Sequence, residues 1–187
     1  MDNIINQAED ISLTFDDLKL LCNPSSIKIM LYQELHNIRD VKELFNMFDN
    51  IIILYRTEKN YGHYVALINH QNYIEFFDPY GTAPDYALGV AKESLRHMRG
   101  QVIPHITGLL QDAQDRYKIR VVYNDAKLQE FHEHVNTCGR WCATRIKLKH
   151  LNLRQFQRLF LGQKHKPDMI VTYLTYLGVN KDIESLI

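Results

Sequence analysis

The chain has 187 residues, 45% of them apolar and 24% charged, and its formal net charge is zero. That length buries a sizeable core without disulfides or metals to staple it, and the charge balance excludes any bulk attraction to nucleic acid or a membrane. Three cysteines, Cys22, Cys138 and Cys142, form no disulfide framework, and the acidic N-terminus lacks an apolar leader, so the expected setting is intracellular.

No internal repeat, linker or run of about 18 apolar residues interrupts the chain, which predicts a single domain over residues 1–187 and no membrane span. The first 50 residues read as short helices. Thr14 and Asp17 are a capping pair ahead of Leu18, Leu20 and Leu21. Asn23-Pro24-Ser25-Ser26 is a break, Ile29, Met30, Leu31 and Leu35 make a second apolar segment, and Asp40 with Glu43 opens a third helix carrying Val41, Leu44, Phe45 and Phe48. Ile51 to Tyr55 is a strand by its β-branched content, Thr57 to Asn60 a turn, and His63 to Ile68 and Tyr73 to Asp78 are two further strands. Apolar residues on both faces of these strands predict a sheet covered on both sides. Pro79 and Gly81 end the third strand, two helices flank Gln101 to Pro104, and Lys118 to Tyr123 is a fourth strand. Helices follow from Cys138 to Leu151, from Leu153 to Leu161 and, beyond Pro167, from Met169 to Leu177. Strands enclosed by helices at both chain ends make an α+β domain with a central sheet.

Three short segments put a chemically capable residue at the edge of a regular element: Gly62-His63-Tyr64, Phe77-Asp78-Pro79-Tyr80-Gly81 and Asn136-Thr137-Cys138-Gly139-Arg140. A tight turn centred on His70-Gln71 places His63 directly opposite Asp78, with Cβ atoms about 5 Å apart. A register slip of two keeps them on one face as diagonal neighbours, whereas a three-residue loop separates them. A carboxylate beside an imidazole selects its tautomer and stabilises the imidazolium. Thr137 is the expected N-cap, which puts Cys138 in the first turn of a helix, where the dipole favours the thiolate. Gly139 leaves room for a substrate backbone, and the N–H of Cys138 can face a developing oxyanion. Taken singly, His63 reads as a structural histidine, Asp78 as a turn residue and Cys138 as core. The chemical reading rests on the three together, as nucleophile, base and orienting acid.

In their order and wording, Gly62-His63-Tyr64-Val65-Ala66-Leu67, Ile74-Glu75-Phe76-Phe77-Asp78-Pro79-Tyr80-Gly81 and Thr137-Cys138-Gly139-Arg140-Trp141 resemble the adenain and ubiquitin-like-protease superfamily of cysteine proteases, and within it virus-encoded and virophage- or Polinton-type members. The likeness covers residues 50 to 147. It implies a papain-like or adenain-like α+β fold with a mixed sheet, a Cys138–His63–Asp78 triad, no cofactor, and hydrolysis of peptide or isopeptide bonds, often after small residues such as glycine. The expected substrate is a viral polyprotein, with conjugates of a ubiquitin-like protein as the alternative, and the expected location is the host cytoplasm or the virion. The family's oxyanion glutamine points to Gln129, although it stands nine residues before Cys138, further than is usual, and Asn136 is the second candidate donor. Tyr64 stands where the family often has tryptophan.

Other classes compete. His132, His134, Cys138 and Cys142 form a His-x-His-x3-Cys-x3-Cys array with four legitimate zinc ligands. An acyltransferase of the same structural clan would use a similar His, acid and Cys set. Arg140 to Lys166 holds eight Lys and Arg residues and no acidic one, and Arg154, Arg158, Lys164 and Lys166 are the expected contacts for weak, non-specific nucleic-acid binding.

Overall fold

The computed structural model describes residues 2–56, 62–90, 102–132 and 134–179. Its five-stranded sheet runs in the order β1 (Ile27–Leu31), β2 (Asn50–Arg56), β3 (Gly62–Asn69), β4 (Tyr73–Phe77) and β5 (Arg120–Tyr123). The β2–β3 and β3–β4 pairs are antiparallel, and the outer pairs β1–β2 and β4–β5 are parallel. The fold is therefore α+β with a mixed central sheet, as the sequence predicts.

Alternation along the strands divides the core in two. Ile52, Tyr64, Ala66, Ile68 and Phe77 face α2 (Phe15–Leu21), α6 (Cys138–Lys147), α7 (Leu153–Phe160) and α8 (Pro167–Val179). Ile51, Ile53, Val65, Leu67, Ile74 and Phe76 face α3 (Val41–Leu44), α4 (Tyr86–Val90) and α5 (His105–Asp115). Helix α1 (Asp2–Glu9) lies against α8.

The capping signals are realised. Thr14 and Asp17 exchange bonds in a capping box at α2, and Asp40 accepts from the Glu43 N–H at α3. One prediction fails. Ile27–Leu31 is not part of a short helix but strand β1, paired in parallel with β2 from Ile27 opposite Asn50 to Leu31 opposite Leu54. Lys, Met and Leu in that segment carry helical propensity, and the partner strand overrides it. The turn expected at Thr57 to Asn60 lies outside the described residues.

A buried ion pair ties α6 to β4. Arg145 donates through Nε to Glu75 Oε1 at 2.6 Å and through Nη2 to Oε2 at 2.8 Å, and both side chains are fully buried. The remaining Arg145 donors reach the carbonyls of Leu148 and Leu151. Burial raises the Glu75 carboxyl, but His70 and Arg145 outweigh it and hold it below the ordinary value. Its contribution to stability is accordingly present above the ordinary glutamate range and lost as pH falls below it. Arg145→Met is expected to destabilise by about 3–5 kcal/mol because it strands a buried carboxylate, whereas the Arg145→Met/Glu75→Leu double variant recovers most of that loss. Urea denaturation of the three proteins checks this, and a double variant no better than the single one refutes it.

Candidate active site

The hairpin of β3 and β4 brings His63 and Asp78 together, by a register different from the one in which they stand directly opposite. The His70 N–H donates to the Tyr73 carbonyl at 2.9 Å, so the two-residue turn is centred on Gln71-Asn72, and Ala66 pairs with Phe77. Moving a turn by one residue shifts the pairing by two, which preserves the face. His63 and Asp78 are therefore diagonal neighbours, and the imidazole Nε2 lies 2.9 Å from Asp78 Oδ1. Both are buried.

Asp78 is held on all sides. Oδ1 also accepts from the Tyr80 N–H at 2.8 Å, and Oδ2 accepts from the Thr82 hydroxyl. Its carbonyl accepts from the Gly81 N–H at 2.8 Å and from Asn124 Nδ2 at 2.5 Å. Gly81 makes this turn possible. Its φ is +70°, and a Cβ there would lie 2.8 Å from the Ala126 carbonyl carbon. Gly62 is as constrained at the start of β3, where a Cβ would sit 2.5 Å from Leu54 Cδ1 and 2.6 Å from the Tyr55 carbonyl oxygen. The Tyr80 ring stacks on His63 with centroids 4.7 Å apart.

Cys138 is the first residue of α6, and it is buried close enough to His63 to act on its titration. Burial pulls the His63 pKa down, but the Asp78 charge and hydrogen bond, with a further contribution from Cys138, overcome it and push the value up to about 10. The upward shift favours the imidazolium form, beside a sulfur at the positive end of a helix.

Three local expectations need correction. Thr137 occupies the N-cap position but makes no capping bond, and its hydroxyl goes instead to Asp168. Gly139 does not open a path for substrate: a Cβ there would lie 3.3 Å from the Tyr64 ring and 3.4 Å from Leu13 Cβ, so the glycine serves close packing of α6 on β3 and α2. The Asn136 amide donates to Asp10 of the α1–α2 connection, so it is committed away from the cysteine.

Gln129 is buried in the loop after β5. Its N–H and that of Leu128 both donate to the Pro79 carbonyl, which binds the loop to the turn after Asp78. Nε2 donates to the Tyr80 hydroxyl at 3.2 Å and to the Val135 carbonyl at 3.0 Å, while Oε1 is buried with no hydrogen-bond partner. The long spacing to Cys138 is absorbed by an irregular segment that exposes Phe131, whose ring lies 5.4 Å from Tyr80.

The zinc array is not assembled. His132 and His134 are at the surface, whereas Cys138 and Cys142 are buried and Cys142 lies fully inside the core. Among the described residues no group of three or more His, Cys, Asp or Glu side chains is arranged to hold a metal ion. The basic stretch also shrinks, because Arg140 and Arg145 fold inward; Arg154, Arg158, Lys164 and Lys166 remain exposed. Among the described residues no helix is long and apolar enough to cross a membrane.

Sequence reasoning missed Asp168. It reads as an ordinary acidic residue in the first turn of α8 after Pro167, and nothing local marks it as buried against α6. Tyr80, Thr82 and Asn124 were likewise invisible as supports of Asp78, since their roles arise only when the loops close on one another.

No known protein-family model matches the chain. It is 32% identical over 173 residues to the protein called Uncharacterized protein V9 of Sputnik virophage, spanning 89% of this chain and 95% of that one. Among solved structures it is similar to the ASFV pS273R protease, with a TM-score of 0.51 and 10% identity over 91% of this chain and 68% of that one. A second likeness is to the Chlamydia trachomatis effector Cdu1 bound to ubiquitin, with a TM-score of 0.45 and 12% identity over 100% of this chain and 80% of that one.

Proposed function

We propose that this chain, which belongs to the family of Uncharacterized protein V9 of Sputnik virophage, is a cysteine endopeptidase that cleaves peptide or isopeptide bonds through Cys138, His63 and Asp78. The observation that carries the reading is the buried pair in which Asp78 Oδ1 lies 2.9 Å from His63 Nε2, with buried Cys138 at a helix start close enough to act on the His63 titration. The fold shared with the ASFV pS273R protease is consistent with it.

In this mechanism Cys138 Sγ attacks the substrate carbonyl as the thiolate. His63, already protonated, donates its proton to the leaving amine, and as the C–N bond breaks an acyl-thioester remains on Cys138. His63 then takes a proton from water as the water oxygen adds to the thioester carbonyl; the C–S bond breaks, the carboxyl product leaves, and the Cys138 thiolate and protonated His63 are regenerated. Asp78 keeps the imidazole in orientation and stabilises its charge without itself becoming protonated. The Cys138 N–H, an orphan donor of the first helical turn, faces the oxyanion together with Gln129 Nε2, which exchanges its bond to the Tyr80 hydroxyl for the substrate oxygen.

The preferred substrate is a viral structural polyprotein, and conjugates of a ubiquitin-like protein are the alternative. Ubiquitin-type and Gly-Gly-X peptide probes with a cysteine-reactive warhead separate the two. The expected result is one adduct, on Cys138, with the peptide probes. Labelling by the ubiquitin probe alone selects the alternative, and adducts on Cys22 or Cys142 instead of Cys138 overturn the assignment.

A separate role follows from the exposed face made by Arg154, Arg158, Lys164 and Lys166 on α7 and the loop after it. It is proposed to bind nucleic acid weakly and without sequence preference, with affinity falling steeply as salt rises. Replacing all four with Ser should remove low-salt binding to a labelled duplex; unchanged binding refutes the proposal.

A further inference from the structure

Asp168 is the second residue of α8 and is buried, yet each of its hydrogen bonds goes to a segment that borders the candidate site. Oδ1 accepts from Trp141 Nε1 at 2.9 Å and from the hydroxyl of Thr137, the residue immediately before Cys138. Oδ2 accepts from the N–H of Glu130, the residue immediately after Gln129, at 2.8 Å. One carboxylate therefore bridges the start of α6 and the far end of the loop that carries Gln129, across the irregular segment between them.

An ionised acceptor suits this place. Three donors of different origin converge on it, and bonds to a charged acceptor are about twice as strong as neutral ones. Burial pushes the Asp168 carboxyl above its ordinary value, and the bonds from Thr137, Glu130 and Trp141 offset only part of that rise. Apolar packing would join α8 to α6 without that desolvation cost, as it already does through Val171. What apolar packing does not supply is a directional link between two backbone segments.

We infer that Asp168 is a positioning residue that sets the distance between Gln129 and the Cys138 N–H, the two oxyanion donors of the proposed protease. The inference rests on that functional reading. Asp168 touches no reacting atom; it acts through Thr137 and Glu130.

The test compares two reactions of the same sulfur in wild type and Asp168→Asn. With iodoacetamide, Sγ bonds to the methylene carbon and iodide leaves with its electron pair, so no oxyanion forms. With p-nitrophenyl acetate, Sγ adds to the carbonyl, the carbonyl oxygen takes up negative charge, and p-nitrophenolate departs as the C–O bond breaks. Asparagine can still accept from Thr137 and Trp141 through its oxygen, but it sets an amide N–H₂ against the Glu130 N–H and so frees the Gln129 end.

Asp168→Asn is expected to lower acylation about 100-fold, above a Cys138→Ala background, with alkylation changed less than about twofold. Thr137→Val, close in shape and lacking the hydroxyl, reads the other arm and should lower acylation about tenfold with alkylation again preserved; it decides the matter if Asp168→Asn does not fold. Parallel losses in both reactions together with a lowered melting temperature assign Asp168 a structural role only, and unchanged acylation in a folded variant also overturns the inference. A wild-type Cys138 that acylates no faster than background and alkylates like an ordinary thiol overturns the protease reading itself, and the inference with it. That failure appears before any substitution at Asp168, so the two are distinguishable.

Discussion

Cys138→Ala is expected to abolish hydrolysis, lowering kcat by about 10⁵–10⁶-fold, while the protein keeps its circular dichroism spectrum. Removing the nucleophile leaves only whatever binding and the oxyanion donors supply. The fold should survive because the side chain is small and the Thr137–Asp168–Trp141 bonds that hold the helix start do not involve it. Cys22→Ala and Cys142→Ala are the controls. Burial pushes the Cys22 thiol up to about 11, and burial, with Cys138 next, pushes Cys142 well above the ordinary thiol range. Both remain neutral and unreactive near pH 7, so both variants should retain most activity. Loss of activity in Cys142→Ala with activity kept in Cys138→Ala would reassign the nucleophile.

His63→Ala should be as inactive as Cys138→Ala, whereas Asp78→Asn should keep residual activity, about 10²–10⁴-fold below wild type. The pH dependence separates their roles. Because the His63 pKa is raised to about 10, the imidazolium required to protonate the leaving amine persists across the neutral range and disappears only as pH rises through that value. Asparagine at 78 removes the charge that opposes the desolvation of His63, so the alkaline limb of kcat/KM should move to lower pH. The linked stability has the same sign. With a folded pKa above the ordinary histidine value, the His63 contribution is complete below about pH 6.5 and is lost as pH rises through about 10. An alkaline limb that stays in place in Asp78→Asn would separate Asp78 from His63.

Much of this arrangement was legible in local chemistry. The β-branched run at Ile51 to Ile53, the capping pairs at Thr14 and Asp40 and the helix beginning at Cys138 all depend on residues a few positions apart. Periodicity and capping operate over that range, so a single sequence suffices to read them. The pairing of His63 with Asp78 was legible only as a set of registers. The choice between His70-Gln71 and Gln71-Asn72 as the turn centre depends on how Phe77, Ala66 and Ile68 seat against α6, a constraint that no pair of neighbouring residues contains.

By itself the sequence determined which segments are helix and strand around the site, which faces are apolar, and which three side chains have complementary chemistry. The tertiary structure alone decided that Ile27–Leu31 becomes an edge strand, that Gly139 meets Tyr64 and not a substrate, that Arg140 and Arg145 leave the basic surface, and that Asp168 joins the Gln129 loop to the nucleophile helix. The physical reason is the same in each case. Propensity and capping are worth about 0.5–1 kcal/mol and act locally, whereas burying a charge or completing a sheet edge involves several kcal/mol and depends on partners tens of residues away in the chain.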